Sequence, residues 1–243
     1  MIPQKPINIF GDGFDRDFYT EVQKMSFHLR TDYAARRLAI YELYKMSTHV
    51  PGSVVELGTR HGATFYYLAQ MIEIFNYGMR PPSTCNRHLY GFDTLKGFPS
   101  ISDNDHSKHE WKEMCVGGVS TNKELVLNEF KEYKANRSLI PDRLHLIVGD
   151  VIKTIPAFMN EHQGLKISFL YFDLDLYEPT LTCLEHMYDA VSPGGIIVFD
   201  EYGFVDFPGE TKAVDCFFKG KTIKMCTFPW AYCPSMYIVK DRC

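Results

Sequence analysis

At 243 residues, 45% of them apolar and 23% charged, the chain is long enough for one large α/β domain and too short for two roomy ones. A formal net charge of −4 excludes an electrostatic attraction to nucleic acid, and no uncharged apolar run approaches the length of a membrane span. The expectation is a cytoplasmic protein with a small-molecule partner, because "MIPQKPINIFGDGFDRDF" lacks a basic start followed by an apolar stretch. Seven cysteines, an odd number without a C-x-x-C pair, fit reduced and packed thiols.

Residues 1–50 read as a helical cover, in which "DYAARRLAIYELYKMSTHV" spaces Ala35, Leu38, Ala39, Leu43 and Met46 at helical intervals. Strand-length apolar runs then alternate with helical patterns, as in βαβ units around a mostly parallel sheet. The runs are "SVVELG" (53–58), "HLYGFD" (88–93), "LHLIVGD" (144–150), "ISFLYFD" (167–173) and "GGIIVFD" (194–200). A helix from about Gly62 to Ile74 follows the first. Residues 96–125 form a long, polar connection of the kind that serves as a lid. After the fifth run, "ETKAVDCFF" is helical, and "KTIKMCTFP" with "SMYIVKD" closes the sheet. Every one of the five runs has an acid at or near its C-terminal end. Ligands bind outside those ends in open α/β sheets, so Glu56, Asp93, Asp150, Asp173 and Asp200 should line one crevice.

"VVELGTRHGAT" (54–64) is a strand, a glycine turn and a helix start, where backbone can approach a ligand and free N–H groups await it. With Gly58 and Gly62 alone it is not the G-x-G-x-x-G fingerprint, and Glu56 would repel phosphate while suiting a positively charged ligand. A purely structural turn fits the same residues. Asp93, in "YGFDTLKGFP", can accept hydrogen bonds from both hydroxyls of a ribose or cap the next turn. "FDLDLYEPT" (172–180) and "IIVFDEYG" (196–203) would bring Asp173, Asp175, Asp200 and Glu201 together, where they repel unless a cation or protons neutralise them. Oxygen-only donors favour Mg²⁺, Mn²⁺ or Ca²⁺, with Asp173, Asp200 and Glu201 as the preferred ligands. Asp175 either joins them or caps the helix opened by Glu178 and Pro179. No His-x-x-x-His or Glu-x-x-His pair suggests zinc, and His61 is either a ligand contact or a solvated loop residue.

Together with "LIVGDVIKTIP" and "FPGETKAVDCFF", these motifs resemble the macrocin O-methyltransferase family of class I S-adenosylmethionine enzymes, from about residue 30 to the C-terminus. The resemblance implies one Rossmann-like domain, a mostly parallel seven-stranded sheet with helices on both faces. It implies a cofactor site of Glu56, Gly58, Thr59, Gly62, Thr64, Thr94, Gly149 and Asp173, with Asp93 at the ribose and Asp150 beside the adenine. Asp173, Asp200 and Glu201 would hold Mg²⁺ or Mn²⁺. Two departures stand out: the family usually carries two aspartates where this chain has Asp200 and Glu201, and glycine where it has Leu174. The implied activity is metal-dependent O-methylation of a hydroxyl on a sugar or glycosylated small molecule. Asp173 would be both ligand and base, Asp175 the second choice as base, and the 96–125 segment would exclude water and select substrate. The N-terminal 30 residues would serve an interface between copies or a substrate lid.

Three other patterns fit parts of the chain. "FDLDLY" resembles the opening of a haloacid-dehalogenase-type phosphatase motif, but Leu176 and Tyr177 replace its Gly-Thr. An acid-x-acid pair also occurs in metal-dependent glycosyltransferases, which leaves the glycine turn unexplained. A non-catalytic cofactor-binding protein could keep the fold without turnover, against which stands the full acid set.

Overall fold

The structure, a computed structural model, describes residues 29–76, 87–109, 111–136, 138 and 140–241. The first 28 residues of the expected cover, with Cys85 and Cys243, lie outside the described residues. The elements in chain order are α1 (Thr31–Ser47), β1 (Ser53–Leu57), α2 (Ala63–Asn76), β2 (Leu89–Asp93), α3 (Lys123–Asn136), β3 (Leu144–Val148), α4 (Val151–Glu161), β4 (Ile167–Phe172), α5 (Tyr177–Met187), β5 (Val191–Phe199), α6 (Pro208–Phe217), β6 (Met225–Cys226) and β7 (Met236–Val239). They form a seven-stranded sheet in the order β3-β2-β1-β4-β5-β7-β6. The first five strands are parallel and β7 runs antiparallel to β5 and β6, as the Rossmann-like expectation required.

The central strands read as unbroken apolar runs because both faces are covered. In β4, Phe169 and Tyr171 face α1, α2 and α3, while Leu170 and Phe172 face α4, α5 and α6. Burial is complete along "ISFLYF". The switch from β4 to β1 on one side and β5 on the other places three strand ends, and their acids, side by side at the carboxyl edge.

Two boundaries differ from the expected ones in ways that matter. The fifth strand begins at Val191, because Val191 pairs with Ile167 before an irregularity that takes up Gly194 and Gly195. On α1 the buried stripe is Ala39, Ile40, Leu43, Tyr44 and Ser47, whereas Leu38 and Met46 face solvent. The helix is thus rotated by about one residue from the periodicity of its aliphatic side chains, since Tyr44 packs on Phe75 and Phe169 and draws that face inward. The stripe continues N-terminally to Arg36, three and four residues before Ala39 and Ile40.

Among the described residues, Cys115, Cys183, Cys216, Cys226 and Cys233 are free thiols, and no helix is long and apolar enough to cross a membrane. On the outer strands, His88, Tyr90 and His145 stack, and Arg143 Nη1 donates to His88 Nε2 at 2.8 Å. A guanidinium can only donate, so His88 carries its proton on Nδ1 and gives it to His145 Nε2 at 2.9 Å. Burial, and then His88, depress His145 from 6.5 to about 4. The folded chain therefore resists a proton that the unfolded chain accepts, and stability should fall as pH drops from about 6.5 towards 4. His145→Gln should flatten that part of the stability profile, measured as urea midpoints across the window.

Candidate active site

The carboxyl edge opens into a cavity of about 600 Å³, within the range of small-molecule sites. Its floor is the turn after β1. Gly58 has φ +91°, and a Cβ there would overlap the Asp173 carbonyl, so only glycine lets β1 and β4 end this close together. Glu56, the penultimate residue of β1, is 1% exposed, lines the cavity and has an unpaired Oε2. Burial and the nearby Asp173 hold its carboxyl well above the usual range, against the pull of Arg36.

Asp93 ends β2 and ties the floor together. Its Oδ2 accepts from the Arg60 backbone N–H at 2.7 Å, its Oδ1 from that of Leu95 at 2.6 Å, and its carbonyl from Gly149 N–H at 2.9 Å. Each carboxylate oxygen keeps a further lone pair for a ligand hydroxyl. Thr94 donates its hydroxyl to Gly97 O at 2.7 Å, and Asp150 caps α4 by accepting from Ile152 N–H at 3.1 Å. Gly58, Thr59, Thr64, Asp93, Thr94, Asp150 and Asp173 all line the cavity; Gly62 and Gly149 shape its turns without forming its wall. Thr59 Oγ1 is buried and unpaired.

Beside this floor the acids of β4 and β5 meet a cation from α1. Arg36 Nη2 donates to Asp173 Oδ2 at 2.8 Å and Nη1 to Asp200 Oδ2 at 2.5 Å. The other oxygen of Asp200 accepts from the Tyr171 hydroxyl, and the guanidinium lies 5.8 Å from the centre of that ring. Burial works against the charge on Arg36, but Tyr171, Asp200 and Asp173 together hold it firmly protonated.

The expected ligands Asp173, Asp200 and Glu201 are all here, arranged differently from the expected triad. Ligand atoms of Asp173, Asp175 and Glu201 lie within 4.8 Å of one another, as do those of Asp200, Glu201 and Cys233. Glu201 belongs to both groups; it is 7% exposed and its Oε2 is unpaired. Its backbone N–H is held at 2.9 Å by Oε1 of Glu210, a fully buried acid in the first turn of α6. Burial and then Asp200 push both glutamic acids well above the ordinary range. Burial, and then Asp200, also raise the Cys233 thiol, so it stays protonated beside the acids. Asp175 has φ +62°, a left-handed conformation costly for a residue with a side chain and concentrated at functional sites. Burial, then Asp200, raise its carboxyl to about 7.

The 96–125 segment forms the roof. Phe98 and Trp111 join Phe204, Phe207 and Tyr232 on the cavity wall, with Trp111 edge-on to Phe207 at 5.1 Å and Phe204 against Tyr232 at 4.6 Å. Buried Asp105 anchors the roof by accepting from Ser102 N–H at 2.7 Å and from Tyr177 N–H, the first residue of α5, at 2.6 Å. Sequence reasoning missed Arg36, Asp105, Glu210 and Cys233. The available signal for Arg36 was its place on the α1 stripe once Ile40 and Tyr44, rather than Leu38 and Met46, define that stripe.

A model of the macrocin-O-methyltransferase (TylF) family matches residues 37–227. The mycinamicin III 3''-O-methyltransferase of Micromonospora griseorubida is 28% identical over 159 residues, which is 63% of this chain and 56% of that protein. The 8-demethyl-8-(2,3-dimethoxy-alpha-L-rhamnosyl)-tetracenomycin-C 4'-O-methyltransferase of Streptomyces olivaceus is 25% identical over 157 residues, covering 63% and 54%. The chain thus spans little more than half the length of these curated relatives. The crystal structure of CalS11, a calicheamicin methyltransferase, matches with a TM-score of 0.79 at 26% identity, over 91% of this chain and 85% of that one. The phosphatase and glycosyltransferase patterns are local likenesses beside a match of this extent, and the chain belongs to the macrocin-O-methyltransferase family.

Proposed function

We propose that the protein transfers a methyl group from S-adenosylmethionine to a hydroxyl of a sugar or glycosylated small molecule, with Mg²⁺ or Mn²⁺ held at its acid cluster. The observation that carries this reading is one cavity joining the Glu56 glycine turn to Asp173, Asp175 and Glu201. The unpaired Glu56 carboxyl suits the ammonium of the cofactor's amino-acid end, and ion pairing there would restore its charge. Family membership and the sugar named in the Streptomyces olivaceus relative support the acceptor class.

For the metal, the fit rests on donor chemistry. Asp173, Asp175 and Glu201 offer oxygens within 4.8 Å of one another, and the buried Glu201 Oε2 lacks any other partner. A hard cation bound there lowers the pKa of a hydroxyl that it contacts. The chain's own residues must then aim the acceptor oxygen in line with the methyl–sulfur bond and take the hydroxyl proton. The electron pair of the broken bond stays on sulfur, which becomes a neutral thioether. Asp175 is assigned as the base in preference to Asp173: Arg36 occupies Asp173, whereas Asp175 is held left-handed at the cavity wall outside that pairing. This reverses the order expected from sequence. The aromatic wall of Trp111, Phe204, Phe207 and Tyr232 would pack against the acceptor and exclude water.

Calorimetric titration with S-adenosylhomocysteine should show binding, and its absence both with and without Mg²⁺ would end the methyltransferase reading. Asp175→Asn should lower kcat by about 10²- to 10⁴-fold while cofactor affinity is retained. Trp111→Ala should raise the acceptor KM by about 3- to 10-fold with kcat little changed, as expected for loss of an aromatic contact. Steady-state kinetics on TDP-rhamnose or a rhamnosylated small molecule would read both variants.

A further inference from the structure

Both groups of donors that could hold a cation among the described residues share an unusual property. The first contains Asp173 and the second contains Asp200, and these are the two carboxylates that Arg36 already holds. Neither group can gain a dication without placing it beside a guanidinium, or drawing a carboxylate away from one. We infer that Arg36 and a divalent cation are competing counter-ions for this cluster, and that Arg36 sets how tightly the protein holds metal. The inference rests on the metal reading above and goes beyond it by assigning the opposing charge.

The geometry makes the competition direct. Asp200 accepts from Tyr171 on one oxygen and from Arg36 on the other, so a dication on the Arg36-bound oxygen would share it with the guanidinium or displace that group. Asp173 gives Arg36 its Oδ2. Glu201, the acid common to both groups, lacks a side-chain partner on Oε2 and has no tie to Arg36. The cluster therefore divides into two carboxylates that Arg36 holds, Asp173 and Asp200, and two outside that pairing, Asp175 and Glu201. The planar fork of arginine suits this role, since it spans two carboxylates where a lysine ammonium would act as a single point charge. Withdrawal is feasible because Arg36 lies near the N-terminus of α1, where Thr31, Asp32 and Tyr33 are exposed and Arg30 provides no side-chain cap. Metal binding should then loosen that first turn.

The test is Mn²⁺ titration calorimetry on the wild-type chain, Arg36→Gln and Arg36→Lys. Arg36→Gln should bind Mn²⁺ at least about tenfold more tightly than wild type, a difference of about 1.4 kcal/mol, with Arg36→Lys between them. A merely structural role would give the opposite sign, because a loosened cluster binds metal less well. Equal or weaker binding in Arg36→Gln overturns the inference and leaves the metal reading standing; absence of Mn²⁺ binding in all three proteins overturns both. Should Arg36→Gln fail to fold, Arg36→Lys and hydrogen exchange on wild type decide. Mn²⁺ should speed exchange of the hydrogen-bonded amides from Ala34 to Arg36, and unchanged or slower exchange there overturns the inference.

Discussion

Arg36 reaches from α1 to the carboxyl edge of the sheet and sits between Asp173 and Asp200, and the arrangement of the site follows from that pairing. Parallel strands that end together bring their acids together, and burial makes their mutual repulsion severe. The chain answers in two ways. Where α1 reaches, a guanidinium supplies positive charge, supported by the Tyr171 ring and hydroxyl. Where no cation pairs with them, Glu56, Glu201 and Glu210 are pushed towards the neutral form, Glu56 in spite of the pull of Arg36, and can act as hydrogen-bond donors. Each neutral acid has an unpaired oxygen, and two of them, Glu56 and Glu201, line the cavity, which therefore contains buried polar groups awaiting a partner, the usual mark of a site built for a ligand.

Much of the frame was legible because parallel strands have a simple signature. Runs such as "ISFLYF" are buried on both faces and end in an acid, so both the sheet and the edge at which the cavity opens could be read from sequence. Long-range partners were not legible in the same way. Arg36 is 137 residues from Asp173 and 164 from Asp200, and "AARRLAI" contains two adjacent arginines with nothing local to tell them apart. Aliphatic periodicity pointed to the wrong stripe of α1, because Tyr44, an amphipathic aromatic, decides which side turns inward.

The acid-x-acid pair shows a subtler limit. Sequence placed both aspartates at the strand end, yet their division of labour depends on backbone conformation and on the reach of one arginine. Asp173 continues the line of β4 and is held by Arg36, whereas Asp175 turns left-handed two residues later. Neither fact has a local signature; glycine would have been the natural guess for that φ. Glu210 was hidden for another reason. An acid in the first turn of a helix reads as a favourable dipole interaction at the surface, and here it is wholly buried beneath Glu201.

Asp105 joins the roof to the first residue of α5, two residues after Asp175, and Gly209 at the start of α6 fits against the same point so closely that a Cβ would strike Asp105, Tyr177 and the Asp175 backbone. Roof, Asp175 and the two helix starts thus share a single knot of backbone. The side chains between that knot and the cavity, Phe98 and Trp111 among them, project from loop rather than from helix or strand. Under the proposed reading, acceptor shape and proton transfer would be carried by separable parts of one frame: the loop-borne wall could be rewritten for a new acceptor while residues 102–105 and Gly209 keep the joint at Asp175 unchanged.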